Sequence, residues 1–495
     1  MSTLDLPLPD VDRPTDAERF TDAGRAVLLT LAALSVGLAI HVRDGEYWDS
    51  AIRWVGVALA ATLAAVLLPR LPAPARRSEW AGQFALAALL SAVVYQFHQL
   101  LQSPPSGWNE WSDDLVDKSA GNLQLYKVGV TAAAALTLIT LLASLAARRA
   151  WWAIPFSATL VAHLLLGVWM VRSAPTPKID VFVFQQEGAR ALLDGRNPYA
   201  IQNPDIYAGT PQAADRDVYG QNLSSGGKLA FGFPYPPLSL GLSTLGYRAA
   251  ADHRYAQVVA FTLAGAFLGF SRPGRWGALA ALLLLFTPRA FFILGRAWTE
   301  PFVVCLLALT VFCAYRLPRL LPVALGLFLA SKQYLVFAVP LAWLLVRDPR
   351  DWRAALKLIG GALLVAAAVS APLILWDLKA FWHSAVTVQQ VAPFREDALS
   401  WLVWYFHKTG VKPGLWVAFR ATVLMLLLAL WLCPRTPSGF ALGLAAVYLP
   451  FIAFNKQAFA NYYLFVIAAL ACALGTLRPE RTPAARPPAH ESVRP

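Results

Sequence analysis

The stretch Lys178-Ile179-Asp180-Val181-Phe182-Val183-Phe184-Gln185-Gln186-Glu187-Gly188-Ala189-Arg190, continued by Asp194-Gly195-Arg196-Asn197-Pro198-Tyr199, is where the chain changes character. Before it, residues 151–172 form an apolar run long enough to cross a bilayer, whose ~30 Å hydrocarbon core takes about 20 helical residues. It opens the longest polar interval of the sequence, 173–254. Pro175 and Pro177 end the preceding helix, because proline lacks the backbone donor and clashes with the turn before it. A short amphipathic helix is predicted over 181–193, stopped by Gly195 and Pro198. Asp180, Phe184 and Glu187 then share one face, at helical spacing. Asp180 stands at the membrane exit, either as the cap of this helix, a position Asp favours, or as a chemical base.

Composition fixes the solvent. Of 495 residues, 57% are hydrophobic and 14% charged, against about 25% charged in a soluble protein. The chain reads as an all-α polytopic membrane protein embedded in the lipid bilayer. Its net charge of +13 does not point to nucleic acid, since membrane proteins gather Lys and Arg in cytoplasmic loops. Cys305, Cys313, Cys433 and Cys472 all fall inside apolar runs without CxxC spacing and read as small hydrophobes. Residues 1–25 are a polar cytoplasmic tail without a convincing cleavage site.

About fourteen apolar segments follow, near 26–41, 51–69, 80–101, 127–147, 151–172, 255–270, 276–292, 299–316, 320–330, 333–347, 354–376, 412–432, 438–454 and 459–477. Arg70, Arg76, Arg77, Arg148 and Arg149 alternate with loops carrying Asp44, Glu46, Asp49, Glu110, Asp113, Asp114 and Asp117. The positive-inside bias places the N-terminus in the cytoplasm and the 173–254 loop outside. Treating 235–250 as an interfacial helix keeps Arg272, Arg275, Arg316, Arg319, Arg347, Arg350 and Arg353 inside, and Tyr235 on the side of Asp180. The pair 320–347 is too short for two full spans, so half-length helices are expected to meet at Ser331-Lys332-Gln333-Tyr334; broken helices at membrane depth line cavities or are buried. The Pro/Arg-rich tail 478–495 reads as disordered and cytoplasmic.

Ionisable groups near membrane depth are functional candidates. The outer set comprises Asp180, Glu187, Arg190, Arg289, Arg296, Glu300, Lys332, His383, Arg395, Asp397 and Lys456. No dense His/Cys cluster suggests a metal, and no phosphate loop or dinucleotide fingerprint suggests a soluble nucleotide donor; no cofactor is expected. One carboxylate with converging cations suits transfer of a sugar from a lipid-linked phosphate. The base removes a proton from an acceptor hydroxyl, and the cations stabilise the phosphate that leaves an oxocarbenium-like centre. Blander readings stand beside this one. Glu187 and Arg190 fit a surface pair, Arg296 and Glu300 a local ion pair, and Arg395 and Asp397 a loop salt bridge. Lys332 could snorkel, and His383 could be structural.

With those residues in view, the chain resembles the GT-C integral-membrane glycosyltransferases, most closely glycosyltransferase family 87. The resemblance rests on Ile179-Asp180-Val181, Leu193-Asp194-Gly195-Arg196-Asn197-Pro198-Tyr199, Phe233-Pro234-Tyr235-Pro236-Pro237-Leu238, Leu329-Ala330-Ser331-Lys332-Gln333-Tyr334 and Asn455-Lys456-Gln457 with Asn461-Tyr462-Tyr463. It implies a GT-C-like catalytic core over 148–477 and Asp180 as the catalytic carboxylate. Lys332, Arg296 and Lys456 would hold the donor phosphate. Glu187, Arg190, Tyr235, Glu300, Gln333, Tyr334, His383, Arg395, Asp397 and Asn461 would bind substrate. The implied partners are a polyprenyl-phosphate-linked sugar and a glycan or glycolipid acceptor, at the outer face of a bacterial plasma membrane. The family's catalytic loop usually follows the first membrane helix, whereas here it follows the fifth, so 26–147 reads as an added four-helix module. A transporter or flippase of lipid-linked sugars is the alternative; it would carry inverted repeats and ionisable groups at the midplane.

Overall fold

A computed structural model describes residues 16–68, 78–103, 105, 119–145, 151–210, 218–220, 222–272 and 274–477. Arg70, Arg76, Arg77, Glu110, Asp113, Asp114, Asp117, Arg148 and Arg149, on which the expected orientation partly rests, lie outside them, as does the tail 478–495.

The first half of the chain is built from α1 (Asp16–Val42), α2 (Asp49–Leu67), α3 (Ser78–Gln102), α4 (Ala120–Leu145), α5 (Ala153–Ser173) and α6 (Asp180–Leu193). After a loop come α7 (Pro237–Ala250), α8 (Arg254–Ser271), α9 (Arg275–Leu285), α10 (Ala290–Gly295), α11 (Glu300–Arg316) and α12 (Leu321–Leu329). The rest comprises α13 (Ala338–Leu341), α14 (Trp352–Trp376), α15 (Leu378–Phe381), α16 (Val388–Val391), α17 (Trp401–Thr409), α18 (Trp416–Leu432), α19 (Pro437–Ala453) and α20 (Ala460–Gly475). A hairpin of two-residue strands, β1 (Ser224–Ser225) and β2 (Lys228–Leu229), is the sheet among the described residues. Among the described residues six helices, α1 to α5 and α14, are long and apolar enough to cross a membrane. The protein is an all-α membrane protein.

Two expected segments are divided. The run 276–292 becomes α9 and α10, separated at Thr287-Pro288-Arg289, where proline removes a helical donor and Arg289 takes φ +72°. Around Lys332, α12 ends at Leu329 and a 3₁₀ turn over Gln333–Phe337 replaces a continuing α-helix. Gly326 lets α12 approach α14: a Cβ there would stand 2.4 Å from the Ala362 carbonyl oxygen. Small residues serve helix contact in a bilayer because they let backbones close up.

The segment 26–147 is not an appendage. α1 packs against α2, α3 and also α20, near the C-terminal end of the chain. Ala23, Ala26, Ala32, Ala33 and Ala39 are fully buried along it. All four cysteines are buried.

Two apolar clusters form. The large one runs through the helical bundle. The second, the headpiece, gathers Phe184, Tyr199, Leu223, Leu229, Phe231, Phe233, Leu240, Ala385 and Val388. The polar stretch 202–230 therefore has its own core. Asn203 donates to the Gly232 carbonyl at 3.1 Å, Ser384 donates to Tyr199 O at 2.9 Å and accepts from Gly232 N–H at 2.9 Å. Arg272, Arg316 and Arg435 lie at the opposite end of the bundle, donating to the carbonyls of Thr476, Phe270 and Trp343.

Candidate active site

Asp180 is placed by a rigid turn. Arg254, fully buried, grips Asp252 at 2.6 Å and donates to the carbonyls of Ala174 at 2.7 Å, Gly295 at 3.2 Å and Pro175 at 3.3 Å. This ties the exit of α5 to the start of α8 and the end of α10. One turn into α6, the buried Gln185 amide donates to Ala297 O and accepts from Ser243 at 2.8 Å and Gln257 at 2.9 Å. A buried amide with its capacity filled fixes orientation, because leaving it unfilled costs about 1–3 kcal/mol.

Asp180 opens α6. The cap position falls on Ile179, with no side-chain cap bond, although the Asp180 Oδ1 accepts from the Val181 N–H at 2.8 Å. The residue is of intermediate exposure, while protein surrounds its carboxyl. Burial raises its pKa above the usual carboxylate range; the Val181 N–H, the Arg395 guanidinium and the Tyr219 hydroxyl act the other way. The Tyr219 hydroxyl, buried and without a well-aligned hydrogen-bond partner, faces this carboxylate. Tyr207 faces it from the same loop; burial first, then the charge on Asp180, raises both phenols, so both stay protonated.

Tyr235 joins two charged centres. Burial, then the charges on Asp180 and, more weakly, Glu300, hold its phenol protonated. The Lys332 Nζ lies 4.2 Å from its ring centroid. That ammonium stands 3.1 Å from Glu300 Oε1 and donates to the Thr299 hydroxyl. Tyr462 completes the wall, within the fields of Glu300, Asp180 and Arg395. Asp180, Tyr207, Tyr219, Tyr235, Tyr334, Tyr462 and Arg395 all retain intermediate exposure.

The other expected residues divide. Arg395 forms a two-point pair with Asp397, at 3.0 and 2.8 Å, and its charge reaches Asp180. Arg296 follows α10, reaches Lys178 O at 3.4 Å and bears on Tyr207. Tyr334 packs against Tyr462 at 5.9 Å, and Asn461 is 4% exposed at the start of α20. Gln333 donates to Pro234 O at 2.8 Å and Ala385 O at 3.2 Å, which ties the headpiece to the bundle. Lys456 donates to the carbonyls of Gln390 and Ala392, and the His383 ring to that of Ala230 at 3.0 Å. Glu187 and Arg190 pair with each other at 2.8 Å, both partly exposed on α6. Arg289 pairs with Asp44 at 2.8 Å, both almost fully buried. A cavity of about 10 Å³, room for roughly one water, lies beside that pair rather than beside Asp180; His41, Gln99 and Tyr126 help line it.

Sequence reasoning missed Tyr207 and Tyr219. They sit in a Gly/Asn/Ser/Asp-rich stretch whose composition reads as plain loop; two tyrosines in so polar a setting were the available signal. It also chose Asn461 over Tyr462, though the two adjoin.

The fold and this group of side chains define a class: an all-α membrane protein with a carboxylate, guanidinium groups and phenols gathered together. No protein-family model, curated protein or solved structure matches the chain.

Proposed function

We propose that the chain is a membrane glycosyltransferase of the GT-C type, akin to family 87, taking its sugar from a polyprenyl-phosphate donor. The observation that carries this reading is the Asp180 carboxyl, on a residue of intermediate exposure, among tyrosine hydroxyls, with Arg395 close enough to act on it and Arg296 beyond Tyr207. A carboxylate raised towards the working pH is suited to general-base chemistry. Asp180 takes the proton of an acceptor hydroxyl. The hydroxyl oxygen forms its bond to the anomeric carbon from the face opposite the phosphate. The bond from that carbon to the phosphate oxygen breaks, and its electron pair leaves with the polyprenyl phosphate. The anomeric configuration inverts. Arg395 and Arg296 balance the phosphate charge, since guanidinium matches phosphate geometry.

Lys332 takes a different part. Its charge is already matched by Glu300, so its role is to hold Tyr235 rather than to bind phosphate. Lys456 likewise braces loops through carbonyls. In this reading the site faces the extracytoplasmic side of a bacterial plasma membrane, and the acceptor is a glycan or glycolipid of the envelope. The test is sugar transfer by purified protein from polyprenyl-phosphate mannose, arabinose or glucose, with Asp180→Asn alongside. Unchanged transfer by that variant would falsify the role of Asp180 as base.

A further inference from the structure

Arg395 does not stand on a helix. It lies in the connection between α16 and α17, and a fixed charge on an irregular segment needs support from elsewhere. One side is supplied by the connection between α19 and α20. Arg395 N–H donates to Lys456 O at 3.1 Å and Leu399 N–H to Ala458 O at 2.8 Å, while the guanidinium lies 5.1 Å from the Phe459 ring centroid.

The other side comes from the beginning of the chain. The turn between α1 and α2 reaches across: Tyr47 N–H donates to Asp397 O at 2.7 Å, and Glu46 bridges antiparallel to Ala398. The Tyr47 ring stacks on His407, with centroids 4.7 Å apart and planes at 15°. Its hydroxyl donates to Asp49 at 2.7 Å. The turn is itself fastened below. Asp44 pairs with Arg289 at 2.8 Å. Gly45 takes φ +82° against α20, where a Cβ would stand 2.4 Å from Ala460 N, two residues before Tyr462. Segment 395–399 is thus clamped between residues 44–47 and residues 456–460.

We infer that the α1–α2 turn, through Tyr47, is a positioning element that holds Arg395, paired with Asp397, towards Asp180, so that the N-terminal helices complete the active site. The catalytic consequence rests on the transferase reading above; the clamp itself does not. Tyr47 touches no reacting atom and acts through Arg395.

Two measurements on the full-length protein test this. Hydrogen exchange reads the clamp without substrate. In Tyr47→Pro, which deletes the donor to Asp397, and in the milder Tyr47→Ala, which deletes the stack, the amides of Arg395 and Leu399 exchange about tenfold faster; unchanged exchange in both variants overturns the inference. Transfer kinetics read the consequence. Tyr47→Ala and Arg395→Ala each raise the donor KM about tenfold, and the double variant is no worse than Arg395→Ala alone, because residues acting as one unit are non-additive. Losses that simply multiply, or a Tyr47→Ala effect confined to protein yield, overturn it. A wild type inactive with every donor removes the transferase reading, while the exchange data still decide the clamp.

Discussion

The bundle and the headpiece are both apolar inside, but they hold together by different means. In the bundle, α20 buries nearly every residue, with alanine, glycine and cysteine filling much of its later half. Helix α14 is as greasy, yet buries only Ala355, Leu358 and Ala362 and turns Leu364 and Leu375 outward at 71% and 75% exposure. Apolar composition there describes the solvent as much as the packing. The headpiece follows the rules of a water-soluble domain: a compact aromatic cluster, filled carbonyls and a small hairpin. Asp180 sits at the seam. Its helix contributes Phe184 to the headpiece and its starting turn to the bundle.

That contrast can be broken at the seam first. Asp180→Asn lowers transfer by about 10²–10⁴-fold, the range for loss of a general base, while the protein remains folded; kinetics beside a thermal melt check both. Next in size is Lys332→Met, which leaves Glu300 buried without its counter-charge and costs about 4 kcal/mol. A lowered melting temperature is the readout, with Glu300→Gln on the Lys332→Met background recovering part of it. Within the headpiece, Phe231→Ala costs about 3 kcal/mol, whereas Leu364→Ala on the lipid side of α14 stays within about 0.5 kcal/mol. Equal losses at the two sites would erase the distinction drawn here.

A pH series gives a smaller effect with a definite sign. Burial lifts the Asp180 carboxyl above its ordinary 3.8, so the folded state binds that proton more tightly than the unfolded chain. Stability from this group therefore falls as pH rises from about 3.8 through the raised folded value, and the deficit persists at neutral pH. Asp180→Asn melts higher than wild type at pH 7, and the gap closes in acid. A variant that melts lower at pH 7 contradicts this. Least of all, Glu187→Ala or Arg190→Ala moves stability by less than about 1 kcal/mol and leaves transfer unchanged.

How much of this was legible in the sequence follows from what sets each feature. Long apolar runs are local, so α1 to α5 and α14 could be read directly. The break at Lys332 was legible because 320–347 is too short for two spans. Tyr235 was placed on the side of Asp180 by loop charges, and the charge on Asp180 bears on its phenol. Ion-pair partners were not legible. Glu300 looked towards Arg296 at helical spacing, yet Lys332 stands beside it, because helix crossing and not spacing brings α11 to the α12 break. Asp44 and Arg289 belong to segments with no shared period. The loop tyrosines carry no repeat at all.

The Asp44–Arg289 pair also imposes an order on synthesis. Asp44 is made about 245 residues before its partner, roughly 12–50 s at 5–20 residues per second. During that interval the first hairpin holds its carboxylate in place without the guanidinium that later answers it. Chains arrested short of Arg289 should therefore keep the α1–α2 turn open to protease, and the turn should close in full only once Asp397 and Ala460, its later contacts, have followed. The first turn of the protein is finished only when its last helix arrives.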